Sequence, residues 1–204
     1  MRRENGTIRL VIVTASHVLN MFEHVYMTIN NNFVDVGECI YSPNEGYEDK
    51  PSLFDNAVVE IKNDMEGHFH CDVLDKSNGR QSFKILPGIC DIYTQVWKHG
   101  ATTHLTTGVV TSPEFTINSN GKLRNVTIIE GITKDFAEPG DSGASVLLQE
   151  SGETYGLGVI VGESSADQHP PDESTKNCIT ARLNKAIERF ESNTKNKLLI
   201  GTAD

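Results

Sequence analysis

The chain has 204 residues, 37% of them hydrophobic and 23% charged, with 17 glycines, a balance that suits a folded protein with a sizeable core and excludes disordered and collagen-like classes. Its formal net charge is −10 and its 18 lysines and arginines are scattered rather than gathered into a stripe, so it repels phosphate backbones and no nucleic-acid partner is expected. The longest largely apolar run, residues 10–15, is far short of a membrane span and no signal-peptide pattern is present, so no membrane partner is expected and the protein is expected to be cytoplasmic or otherwise intracellular.

Taken in order, short runs rich in Val, Ile, Thr, Phe and Tyr, broken by Gly, Pro, Asn and Asp, predict a mostly β protein. Strands are expected over 7–13, 25–29, 33–41 and 57–62, the first running into the small-residue turn Thr14-Ala15-Ser16 ahead of His17. A further strand is expected over 68–74, with Phe69, Cys71 and Val73 on one face and His68, His70 and Asp72 on the other. With no third ligand in view, those imidazoles read as a solvated face rather than a metal pair.

Strands over 82–86 and 92–98 flank the breaker pair Pro87-Gly88, which makes 87–91 the expected boundary between two β units, 1–88 and 89–204. The remaining strands are expected over 107–111, 114–118, 123–130, 144–149, 155–161 and 177–180, and loops over 42–52 and 163–176. At 181–192 the period changes: Leu183, Ala186, Ile187 and Phe190 recur at helical spacing, with Arg182, Lys185, Glu188 and Arg189 opposite. Cys39, Cys71, Cys90 and Cys178 form no Cys-x-x-Cys pair; they read as buried free thiols in a reducing compartment, with disulfides left open.

Chemistry concentrates at Gly140-Asp141-Ser142-Gly143. A serine hydroxyl is a poor nucleophile at neutral pH, so it needs a base within hydrogen-bond reach and a group that fixes the base's tautomer. Flanking glycines permit a tight turn in which the N–H groups of Gly140 and Ser142 converge on one oxyanion. His17 is the candidate base. Asp55, in Phe54-Asp55-Asn56-Ala57-Val58-Val59-Glu60-Ile61, is the candidate orienting acid.

These three blocks, in the order His17, Asp55, Ser142, resemble the active-site blocks of chymotrypsin/trypsin-like serine proteases. So do Lys98-His99-Gly100-Ala101-Thr102-Thr103-His104-Leu105-Thr106-Thr107-Gly108-Val109-Val110 and Gly156-Leu157-Gly158-Val159-Ile160-Val161-Gly162, which are similar to the opening of the family's second barrel and its substrate-lining strand. The resemblance implies an all-β fold of two six-stranded antiparallel β-barrels with a C-terminal helix. It implies a serine endopeptidase acting on proteins or peptides, with a His17, Asp55, Ser142 triad, an oxyanion hole at Gly140 and Ser142, and no cofactor or metal. It places Phe136 at the base of the primary pocket, where it would fill a trypsin-like site, with Val161 and Gly162 alongside.

Three departures shape further expectations. Val18 and the run Phe136-Ala137-Glu138-Pro139 stand where secreted members carry cysteines. Only 16 residues precede His17, where the family has about two strands, so the first barrel is expected to lack its first strands. Trypsin-like zymogens free an amino terminus that pairs with the aspartate beside the serine, which is Asp141 here, and this chain is expected to need no such cleavage. The competing readings are a catalytically inactive module on the same scaffold and, less favoured, an α/β-hydrolase using Asp167 and His169, for which the strand–helix alternation is missing.

Overall fold

The computed structural model describes residues 6, 8–19, 24–42, 56–119, 122–164 and 176–199. Strands β1 (Val11–Thr14), β2 (His24–Ile29), β3 (Asn32–Tyr41) and β4 (Ala57–Ile61) form an antiparallel sheet in the order β1-β4-β3-β2. Its inner strand β4 reads Ala-Val-Val-Glu-Ile and is almost wholly buried, as a strand flanked on both sides requires. β1 runs along β4 from Val11 opposite Glu60 to Thr14 opposite Ala57. That register brings the turn carrying His17 beside the chain entering β4. A short ladder of β5 (Val73–Leu74) and β6 (Arg80–Gln81) stands apart. Among the described residues the first half therefore holds a four-stranded sheet and this short ladder.

The second half is closed. β8 (Gln95–Gly100), β9 (His104–Ser119), β10 (Lys122–Gly131), β11 (Ser145–Glu150), β12 (Glu153–Ser164) and β13 (Asn177–Arg182) pair in the order β11-β8-β9-β10-β13-β12, and β12 returns to β11 to complete a six-stranded barrel. The short β7 (Lys84–Ile85) adds in parallel to β12. Val96, Val110, Ile129, Phe136, Val146, Leu148 and Ile160 fill the barrel. Where the sequence suggested two strands broken near 112–113, β9 is continuous. Its register passes from Ser112 opposite Ile128 to Phe115 opposite Val126, so Pro113 sits in a bulge, where a missing N–H is tolerated.

Helix α1 (Leu183–Thr194) buries Leu183, Ala186 and Phe190. Phe190 reaches across to the first sheet, where its ring meets Tyr41 edge-on at 5.4 Å, and Asn193 Nδ2 donates to Tyr41 Oη at 3.0 Å. The helix thus ties the four-stranded sheet to the barrel.

Some expectations change. Residues 68–72 are not a strand: His68 ends a 3-10 turn, with N–H bonds of His68 to Met65 and Phe69 to Glu66. The alternation there reflects Phe69, Cys71 and Val73 lining an apolar cavity of about 270 Å³ against Val11, Leu183 and Ile187; of the three, Val73 alone enters a ladder, opposite Gln81 of β6. β8 starts at Gln95 because residues 91–94 form a turn with Tyr93 at φ 68°. Arg182 does not share the outer face of the helix: it is buried, donating to Glu114 Oε1 at 2.8 Å and to the Gly88 carbonyl at 3.3 Å. All four cysteines are free; Cys39 and Cys178 are buried, whereas Cys71 and Cys90 are only half-buried. Most of the two expected loops, together with Asp55, Asp167 and His169, lies outside the described residues.

Candidate active site

β1 delivers the chain to Ala15 and Ser16, both small and fully buried, and a 3-10 turn over Ser16–Val18 closes with Leu19 N–H on the Ser16 carbonyl at 3.1 Å. His17 stands exposed in the middle of that turn. From the other half, residues 138–144 wind between β10 and β11. Asp141 N–H bonds Glu138 O at 3.0 Å, Gly143 N–H bonds Ile160 O at 2.8 Å and Ala144 N–H bonds Asp141 O at 3.0 Å. Ser142 Oγ lies 3.0 Å from His17 Nε2, although 125 positions separate them in sequence. With the ring proton on Nδ1, Nε2 accepts from the serine hydroxyl, the arrangement a general base requires.

Two glycines shape this turn. Gly140 has φ +102° and Gly143 φ +87°; a Cβ at Gly140 would lie 2.4 Å from Thr102 Oγ1, and one at Gly143 2.1 Å from Thr14 Oγ1. The second contact shows how closely β1 abuts the serine turn. Among the described residues the N–H groups of Asp141, Gly143 and Ala144 have carbonyl acceptors, while those of Gly140 and Ser142 have none.

The model of peptidase family S64 matches residues 20–196. The chain belongs to that family. The fold agrees: the chymotrypsin of Cellulomonas bogoriensis aligns with a TM-score of 0.62 at 18% identity, covering 93% of this chain and 85% of that one. Thermobifida fusca protease A gives 0.60 at 18% identity over 93% and 84%, and the Nocardiopsis protease NAPase gives 0.61 at 19% over 93% and 86%. At these identities the likeness is one of fold. No curated protein matches the sequence. The S64 peptidase is a serine endopeptidase of chymotrypsin-like fold, and its substrates are proteins or peptides.

Behind the serine turn of the peptidase lies a buried polar cluster. Asp141, 1% exposed, accepts from Lys98 Nζ at 2.9 Å, Thr103 Oγ1 at 2.7 Å, and the N–H groups of Thr102 at 2.8 Å, Thr103 at 3.3 Å and Glu138 at 3.2 Å. Burial by itself raises its pKa, but the Thr103 hydroxyl, the Lys98 ammonium and the backbone donors together outweigh it and hold the carboxyl far below the usual carboxylate range.

Phe136 has no exposed surface and packs within the barrel core, its carbonyl accepting from Thr106 Oγ1 at 2.6 Å. It therefore offers no face to solvent, whereas Val161 and Gly162 are half-buried on β12. Lys98, Thr102 and Thr103 were given no role by the sequence. The available signal was a lysine inside the apolar strand Val96-Trp97-Lys98, an expensive placement unless paired.

Proposed function

We propose that Ser142 is the nucleophile of this S64 endopeptidase, His17 its general base and Asp55 the acid that orients His17. The observation that carries the reading is the 3.0 Å approach of His17 Nε2 to Ser142 Oγ. Ser142 Oγ attacks the scissile carbonyl as its proton passes to His17 Nε2. The tetrahedral oxyanion is received by the N–H groups of Gly140 and Ser142, which have no other acceptor among the described residues. His17 then protonates the leaving amine, and the acyl group left on Ser142 is hydrolysed by a water that gives its proton to the same nitrogen.

Hydrolysis of a quenched peptide library tests these roles: Ser142→Ala and His17→Ala should each lower kcat by about a millionfold, and Asp55→Asn by about 10⁴. A His17→Ala protein within tenfold of the parent, by the same measure, would remove the proposed base and leave the inactive-scaffold reading or a different site.

Specificity follows from the pocket residues. Phe136, fully buried, occupies the place where a trypsin-like pocket would need an acid to bind Arg or Lys. The primary pocket is then bounded by Val161 and Gly162, with the buried Phe136 behind it, and favours side chains without a positive charge. Cleavage of the library restricted to sites after Arg or Lys would contradict this.

A further inference from the structure

The Asp141 carboxylate is the group through which the serine turn is held. Its oxygens bind back to Glu138 N–H inside the turn and outward to Thr102 and Thr103 on the β8–β9 connection, while Thr102 Oγ1 donates to the Pro139 carbonyl at 2.9 Å. The charge that balances it comes from Lys98, whose side chain and that of Asp141 are both 0% exposed. All three ammonium protons of Lys98 have acceptors: Asp141 Oδ2 at 2.9 Å, His104 O at 3.3 Å and Thr103 Oγ1.

The surroundings are built around this pair. A Cβ at Gly100 would lie 2.2 Å from Asp141 Oδ1 and 2.6 Å from Lys98 Nζ, so only a glycine leaves room for both groups. His104, whose carbonyl receives the ammonium, is held at φ 55°, a left-handed conformation uncommon for a residue with a side chain. Five donors on one carboxylate, which offers about four lone-pair directions, leave no site for a second cation.

We infer that Lys98 is a positioning residue of the S64 peptidase: its buried ammonium, paired with Asp141, holds Gly140–Gly143 in the form that presents Ser142 and the two free N–H groups, so this turn is set by an internal cation and does not depend on an ammonium freed at an amino terminus. The inference rests on the reading of Ser142 as nucleophile. Without Lys98, Asp141 is a buried anion lacking its counter-charge, and the turn relaxes by moving that carboxylate toward water. Such a movement shifts the Gly140 and Ser142 donors and leaves the His17 ring in place.

The test is the rate of Ser142 labelling by a fluorophosphonate, located by peptide mass spectrometry. Lys98→Met, close in length and uncharged, should label at least about 100-fold more slowly than the parent, the scale of losing an oxyanion donor. The double variant Lys98→Met/Asp141→Asn, which removes both charges, should recover part of that loss. Labelling of Lys98→Met should still run to one adduct per chain, only more slowly; a lowered end-point reached at the parent rate, the mark of a fraction that does not fold, overturns the inference.

An arm without any Lys98 substitution uses the parent chain behind an amino-terminal extension, shown to be intact by mass. It should label at the unextended rate; labelling confined to chains with a freed terminus overturns the inference, as does a folded Lys98→Met that labels at the parent rate. A parent chain that does not label at Ser142 refutes the nucleophile itself, a separate failure.

Discussion

Alanine at Gly140 is a sharp perturbation of the proposed oxyanion hole. The backbone there has φ +102°, and the new Cβ would sit 2.4 Å from Thr102 Oγ1. That hydroxyl is not free to rotate away, because it donates to the Pro139 carbonyl at 2.9 Å within the same turn. The turn must therefore move, by the better part of an ångström, and its Gly140 N–H moves with it. Backbone strain of this kind costs about 1–3 kcal/mol of folding stability. Loss of one oxyanion donor costs about 2.7–4 kcal/mol of transition-state binding, or about 10²–10³ in kcat.

Because that donor acts on charge formed only in the transition state, kcat and kcat/KM should fall together, with KM changed by no more than about threefold. Steady-state kinetics on a quenched peptide measures this, and a urea titration measures the stability loss. Adding Thr102→Ala removes the clash but leaves the positive φ, so the double variant should regain only part of the rate. If Gly140→Ala keeps kcat within about threefold of the parent, the Gly140 N–H is not an oxyanion donor and the reasoning fails.

Other consequences follow from single contacts. Phe190→Ala opens a cavity between the helix and the first sheet at a site 0% exposed, which should cost about 3–5 kcal/mol and lower Tm by roughly 6–20 °C; calorimetry showing a drop under about 2 °C would mean α1 does not bind the two halves together. Asp141 titrates, when folded, well below its ordinary 3.8, so its stabilisation is fully present above that value and drains away as pH falls below it. Urea midpoints taken from about pH 7 to about pH 2 should accordingly decline more steeply in the parent than in Lys98→Met/Asp141→Asn, and equal slopes would contradict the buried pair. Burial pushes the Cys178 thiol up to about 12, so iodoacetamide at about pH 8 should leave it unmodified in the native protein. Peptide mapping that finds Cys178 alkylated as fast as the half-buried Cys71 would refute that burial.

Much of the fold was legible because local signals agreed with tertiary demand. The runs at 123–130, 144–149 and 155–161 are rich in branched residues, and each became a strand of the closed barrel. The change to helical spacing after 181 foretold α1, since Leu183, Ala186 and Phe190 all bury. The serine turn was legible from its glycines, whose positive φ angles no other residue accepts easily.

What was hidden depended on contacts between distant residues. Phe69, Cys71 and Val73 alternate like a strand, yet they line a cavity, and only Val73 joins a ladder, opposite Gln81. Arg182 fits the polar face of the helix by period, but Glu114 and the Gly88 carbonyl draw it inside. The partner of Lys98 lies 43 residues away, and nothing local distinguishes a buried, paired lysine from a misplaced one. His17 and Ser142 are proposed partners that only the folded chain brings to 3.0 Å.

Ser142, activated by His17, is the proposed nucleophile on which the site's chemistry turns. Its most direct measurement is mass-spectrometric mapping of the protein after exposure to a fluorophosphonate. A single phosphonyl adduct is expected on Ser142, and it should be lost in His17→Ala. An adduct on another residue, or an undiminished Ser142 adduct in His17→Ala, would contradict it.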